Sequence, residues 1–354
     1  MTSRRLIIAL SLLAVIVAAS CGGSDDAAPS GGQQKFDDAT LATVDNMMHL
    51  SEYVGVERGF FAKNGLNVQL DILADGADVN KALESGKAQF GSASTTSVPA
   101  ARAAGLEQKL VAPVMNDATS ATYTGPLGIV GRKDRGIKPG DISSLIGKRV
   151  AVHEASTNHE YLLLLLAQNN IDPNEVEIVP IETPDQPVTL SQGDVDAASG
   201  WEPFVSQMVN ELGDNGVIVS RSDPVLGYTI GVGAPDSVIA EERDIMKKFS
   251  MGVAEASYWI RQNPEEAAEV ATNFISGLAS EHAIAAMDHL SFDPRISTCT
   301  LQAWDAAAKG LEKKGDIDSA PSSKAMIDTS IMAEVERENP QWFSDLPPIP
   351  KKCR

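Results

Sequence analysis

From Ala39 onward the chain alternates strand-like and helix-like runs in two successive blocks. Strand-like stretches at 39–44, 67–73, 89–93 and 108–114 are separated by helical stretches at 50–64, 78–85 and 97–104. A second series places strands at 127–131, 149–153, 176–180 and 195–199, with helices at 158–170, 187–192 and 203–212. Alternation of this kind predicts open sheets covered by helices, an α/β protein, because such a sheet must bury both faces. A strand at 227–233 carries the chain back, and 240–314 reads mostly helical, with breaks at Asn263-Pro264, Gly277 and Asp293-Pro294. The five leucines at 162–166 are too few for a bilayer, which needs ~20 apolar residues, and fit a helix buried on several sides. No internal repeat stands out.

The most informative segment is 53–68. Leu50, Tyr53, Val54, Val56, Phe60 and Phe61 recur near helical spacing, and Gly65 stands where a left-handed C-terminal turn needs a residue without a Cβ. Residues 67–73 then alternate as a strand. By periodicity this is a helix-to-strand unit that any α/β sheet could use. Its wording, however, resembles the lYVAkekGfFkkeGLdV segment of the substrate-binding proteins of ABC importers for nitrate, sulfonate, taurine and thiamine precursors. Residues 49–53 resemble that family's His-Ala-Pro-Phe-Tyr variant. Two further runs resemble the family: 193–204, with its Gly, Asp-Ala and Trp-Glu-Pro, and 152–159, similar to a vavpkGStah turn. Gly55 stands where the family has Ala, Ser51-Glu52 where it often has Ala-Pro, and Ala155 where it has Gly. The first two departures are expected at the rim of the ligand pocket.

The resemblance implies a two-lobe, periplasmic-binding-protein-like type II fold with the ligand cleft between lobes. Lobe 1 is expected to be discontinuous, 38–126 and 234–354, with 127–233 forming lobe 2. In open α/β sheets ligands lie beyond the carboxyl ends of the strands, where helix N-termini present unpaired N–H groups. Three such ends supply His49, then Ser94, Thr95 and Thr96, then Ser156, Thr157 and Asn158. Hydroxyls there can cradle an oxyanion without a formal countercharge, although the same residue types also serve as plain helix caps. From the Trp-Glu-Pro motif, Trp201 could supply a flat apolar wall or simply core packing, and Glu202 could pair with a ligand ammonium. Tyr123 and Tyr228, near the presumed crossings, are further candidates.

The N-terminus reads as a processing signal: Arg4-Arg5, an apolar run at 6–17, then Ala18-Ala19-Ser20 before Cys21. It resembles a lipoprotein leader, 1–20, whose cleavage leaves Cys21 lipidated; a twin-arginine route is the other export possibility. Residues 21–37 are rich in Gly, Ser, Ala and Asp and are expected to form a flexible tether. Cys299 and Cys353 then remain as an even pair in an exported chain, which predicts one disulfide.

A formal charge of −19 disfavours nucleic-acid binding. No G-x-S-x-G elbow is present, so no catalytic residue is expected. His49, His153 and His159 could share a cleft, but without HExxH or paired cysteines neither a metal nor another cofactor is expected. The implied role is a lipid-anchored, monomeric binding protein on the extracytoplasmic face of the cell membrane. It would capture a small organic anion (a sulfonate, taurine or a carboxylate) by hinge closure and deliver it to ABC permease subunits. Nitrate, a pyrimidine thiamine precursor, or a tethered sensor role are the alternatives.

Overall fold

The structure, a computed structural model, describes residues 37–117, 119, 125–154, 156–221 and 228–354. The expected leader, Cys21 and nearly all of the expected tether lie outside the described residues, as does Tyr123. Asp37, assigned to the tether, instead opens the first strand.

The first half begins with β1 (Asp37–Val44), α1 (Leu50–Glu57), α2 (Phe60–Lys63), β2 (Leu66–Leu73), α3 (Gly76–Glu84), β3 (Phe90–Ser94), α4 (Ser97–Ala103) and β4 (Gln108–Asn116). The second contains β5 (Leu127–Arg132), β6 (Arg149–Val152), α5 (Thr157–Gln168), β7 (Glu177–Pro180), α6 (Gln186–Gln192), β8 (Ala197–Trp201), α7 (Phe204–Leu212) and β9 (Gly216–Arg221). The chain returns through β10 (Thr229–Pro235) into α8 (Asp236–Glu241), α9 (Arg243–Gln262), α10 (Pro264–Phe274), α11 (Ser280–Met287), α12 (Thr298–Lys314), α13 (Ser323–Met326) and α14 (Ser330–Glu338).

Two five-stranded sheets result, in the orders β2-β1-β3-β10-β4 and β7-β6-β8-β5-β9. In each sheet one strand runs antiparallel to its neighbours, and in each it is the strand that has just crossed from the other half. β10 enters between β3 and β4, and β5 between β8 and β9. The two sheets thus share a topology that the sequence does not announce as a repeat. It also moves the expected boundary: β10 belongs to the first sheet, so the second half ends with β9 rather than at residue 233.

Gly59, at φ 73°, splits the helix expected over 50–64 into α1 and α2, and Gly65, at φ 79°, ends α2 as anticipated. The split lets Phe61 enter the core, where its ring stacks on Phe249 at 4.8 Å; Phe90 stacks on the same Phe249 at 4.2 Å. Gly55 of α1 and Gly252 of α9 lie against the Phe61 ring so closely that a Cβ at either position would overlap it. The Gly55 departure is therefore a packing feature of the α1–α9 contact and not a feature of a ligand rim. In the second half, Leu162, Leu165 and Leu166 of α5 are buried with Leu127, Ile129 and Val150 of the sheet, while Leu163 and Leu164 are half-buried.

The helices after β10 pack back on the first sheet, and the three expected breaks fall between α9 and α10, at Gly277 and before α12. Strand β9 and helices α13 and α14 were not foreseen. Cys299 and Cys353 form a disulfide with S–S 2.02 Å, holding the C-terminus on α12. Among the described residues no helix is long and apolar enough to cross a membrane.

Candidate functional site

Strands β3 and β6 end on hydroxyl-rich turns, and these turns meet across the two halves. Thr96, after β3, places its Oγ1 3.4 Å from Oγ1 of Thr157, the first residue of α5. Tyr228, entering β10, donates its hydroxyl to the same Thr157 Oγ1 at 3.4 Å. Burial raises the Tyr228 pKa above the ordinary phenol value, so the group stays protonated and remains a donor.

The neighbouring candidates support this contact. Ser94 Oγ lies 3.0 Å from Thr96 Oγ1 and accepts the backbone N–H groups of Thr96 and Ser97, which fixes the turn; Thr95 is buried beside it. Ser156 donates to the His153 carbonyl at 2.6 Å and to the Asn158 side chain. Asn158 in turn donates to Thr183 Oγ1 at 3.1 Å, and its carbonyl accepts from Ser199. Ser156 and Asn158 thus use these polar groups within the second half, leaving Thr157 as the residue of this trio that meets the other half.

Trp201, the last residue of β8, is half-buried and packs against the apolar cores of both halves. Its ring tilts against His153 at 5.8 Å, and its buried Nε1 has no hydrogen-bond partner. An indole N–H can only donate, so this is an uncommitted donor. Glu202 is fully buried and already engaged: it accepts from Ser206 N at 3.1 Å and Ser206 Oγ at 3.0 Å, and it pairs with Arg221 at the end of β9. Its carboxylate holds α7 and β9 together, in place of the ammonium-binding role expected from sequence.

His49 is buried at the start of α1, its Nδ1 2.8 Å from Glu52 Oε1 and 3.4 Å from Ser92 Oγ. His153 Nδ1 lies 3.0 Å from Glu182 Oε2, and His159 has its pKa lowered by burial, then by the Lys314 charge. The three histidines do not converge: among the described residues no group of three or more His, Cys, Asp or Glu could hold a metal.

Two residues at this location were not anticipated. Asp117 follows β4, donates its N–H to the Tyr228 carbonyl at 3.1 Å, and carries a buried Oδ1 without a hydrogen-bond partner. Burial pushes its pKa up to about 8, against a smaller lowering by backbone N–H groups. Thr119, two residues on, has a buried Oγ1 equally without a partner. The strand-end argument that picked out Ser94 and Ser156 would have reached Asp117 had it been applied to the end of β4.

Comparison with known proteins places this geometry in a family. The chain is 28% identical to the taurine-binding periplasmic protein of Escherichia coli strain K12 over 267 residues, which is 74% of this chain and 78% of that protein. Its fold is similar to the periplasmic aliphatic sulphonate binding protein SsuA from Escherichia coli, with TM-score 0.72 and 15% identity, covering 84% of this chain and 99% of that one. It is also similar to the periplasmic nitrate-binding protein NrtA from Synechocystis PCC 6803, with TM-score 0.70 and 14% identity, covering 90% and 92%. Residues 46–267, which contain both strand-end turns, Trp201 and Tyr228, match the family described as NMT1/THI5 like, and the chain belongs to that family.

Proposed function

We propose that this protein is the substrate-binding component of an ABC importer for a small organic anion, with a sulfonate as the first choice. The carrying observation is the contact of Thr157 with Thr96 and with Tyr228, which joins hydroxyls from both halves at the strand ends where α/β proteins bind ligands. A sulfonate offers three acceptor oxygens and needs several donors more than it needs one fixed cation. Hydroxyls, the N-terminus of α5 and the free Nε1 of Trp201 are donors of that kind. The taurine-binding and sulphonate-binding relatives support the same choice.

In this reading the anion binds one half, the second half closes over it, and the closed form docks on a permease. Contacts made by both halves supply the energy of closure. Cys21 is the proposed lipid anchor, holding a monomer at the extracytoplasmic face through the tether. No catalytic role is proposed.

Native mass spectrometry of the purified protein, followed by thermal shifts over alkanesulfonates, carboxylates and nitrate, tests the assignment. A ligand at about 100 times its Kd adds ~2.7 kcal/mol of stability. Stabilisation by sulfonates, with compaction in small-angle scattering, is the expected result. Stabilisation by nitrate or carboxylates alone would replace the ligand class, and unchanged dimensions at saturation would remove the closure mechanism.

A further inference from the structure

We propose that closure of the two halves is held in part by an ionic latch between Glu160 and Lys314, a pair that contains no ligand atom. The latch rests on the closure reading above and adds to it a source of energy that every ligand shares.

Each charge is mounted on its own half. Glu160 lies in the first turn of α5, whose Leu162, Leu165 and Leu166 are buried on the second sheet. Lys314 ends α12, whose Trp304 and Ala308 are buried with Ala93 of β3, Val98 of α4 and Leu110 of β4. The Lys314 ammonium nevertheless donates to the Glu160 carboxylate. Both helices are fixed to their sheets by apolar packing, so this pair spans the junction, and moving the halves apart has to break it. Lys314 also faces the residue before Glu160: burial first, and the Lys314 charge second, lower the pKa of His159.

The latch is in step with the candidate site. Glu160 follows Thr157 by three residues, so the two share one face of α5 a single turn apart. The movement that brings Thr157 Oγ1 to 3.4 Å from Thr96 Oγ1 therefore brings Glu160 to Lys314 as well. Helices α7 and α11, again one from each half, also meet, with Asn210 Nδ2 donating to His282 Nδ1 at 3.2 Å. Polar contact between the halves is thus not confined to the hydroxyls assigned to the ligand.

Local explanations account for only part of this arrangement. A lysine at a helix C-terminus and a glutamate in a first turn each suit the helix dipole without any partner. Lys314 also has Asp316 of its own half at 3.5 Å. Fully exposed pairs contribute little, because water and salt screen them. Here the Glu160 side chain is only 16% exposed and that of Lys314 33%, so the pair is screened less. On opening, Lys314 keeps Asp316 while Glu160 loses its cation.

Such a latch acts on the closed population, and the apparent affinity of any ligand that needs the closed form scales with that population. Its removal weakens all such ligands by one factor, whereas loss of a site residue changes their ranking.

A double-mutant cycle on the full chain tests the latch. Glu160→Gln, Lys314→Met and the two combined are titrated calorimetrically with those alkanesulfonates, carboxylates or nitrate that bind wild type. Each single variant should weaken every bound ligand by the same factor, about twofold to fivefold for a partly shielded pair. The combined variant should lose no more than either single one. The wild-type advantage should shrink in about 1 M salt, where the Debye length is ~3 Å. Additive losses, or unchanged affinity in both single variants, overturn the latch and leave the sulfonate reading intact. Losses that differ between ligands overturn it too, by assigning these charges to ligand recognition. If nothing in the panel binds, the anion reading falls, and small-angle scattering of the ligand-free protein decides the latch. Wild type expanding toward the dimensions of Lys314→Met as salt rises supports it; dimensions independent of salt and of that substitution overturn it.

Discussion

The hydroxyl of Tyr228 and Oγ1 of Thr157 lie 3.4 Å apart, and they come from different halves of the molecule. Tyr228 immediately precedes the crossing strand β10, so this pair links the crossing to the N-terminus of α5. Tyr228→Phe keeps the ring and removes only that donor. Ligand affinity should fall by about threefold to tenfold, the value of one neutral hydrogen bond, with melting of the unliganded protein little changed. Calorimetry with taurine or an alkanesulfonate decides it; an unaltered affinity would assign the hydroxyl to scaffold alone.

Trp201 separates wall from donor. Trp201→Phe retains an aromatic surface against both cores but loses Nε1–H, which has no protein partner. The expected loss is ~1 kcal/mol of binding free energy, and Trp201→Ala should cost more through the lost wall. If both variants bind as wild type does, the ring belongs to the core.

Gly55 gives a stability prediction free of any ligand. Its missing Cβ leaves room for the Phe61 ring, which Gly252 contacts as well. Gly55→Ala should destabilise by about 1–3 kcal/mol through overpacking, despite the better helix propensity of alanine. Chemical denaturation reads the difference, and a neutral or stabilising result would show that Phe61 can shift freely.

Asp117 predicts a pH dependence of the unliganded protein. Its pKa is pushed by burial from 3.8 to about 8, so the folded state holds a proton that the unfolded state releases. That stabilising contribution is complete below about pH 4 and is lost as pH rises toward and through about 8, at about 1.4 kcal/mol per unit at most. Asp117→Asn should therefore become more stable relative to wild type as pH rises, measured as denaturation midpoints from pH 5 to 9. Parallel curves for the two proteins would contradict the assignment.

The disulfide closes a sequence separation of 54 residues between α12 and the C-terminus. Reduction should lower unfolding free energy by up to about 4 kcal/mol on the chain-entropy model. Melting with and without reductant measures it, and ligand affinity should persist, because the bond lies in the helical layer of the first half rather than among the residues of the cleft.

The legibility of the fold varied with the kind of signal. Strands β1 to β8 and their intervening helices carried regular periodicity and lay within a few residues of expectation. The short strand β9 and helices α13 and α14 had weaker patterns and owe their form to packing on elements far away in sequence. The break at Gly59 was hidden inside a continuous apolar rhythm. Periodicity reports which side of a helix is buried but not that a left-handed residue must turn the chain so Phe61 can reach Phe249.

Candidate site residues divided in a similar way. Residue type and strand-end position singled out Thr96 and Thr157, the resemblance of 193–204 to a family motif singled out Trp201, and Tyr228 was named for its place near a presumed crossing. What each side chain touches could not be read locally: Glu202 is committed to Arg221, nineteen residues away, and Ser156 and Asn158 to their own turn. The sequence alone determined an α/β chain and a set of hydroxyl-bearing turns, because those depend on local spacing and composition, while the family was legible only through the resemblance of runs such as 53–68 and 193–204 to known members. Only the tertiary structure decided that β10 belongs to the first sheet, that hydroxyls of both halves meet, and that Asp117 is buried with an oxygen lacking a partner. Those outcomes depend on which distant groups share a buried space, and burial is where an unpaired charge or hydrogen bond becomes costly enough to matter.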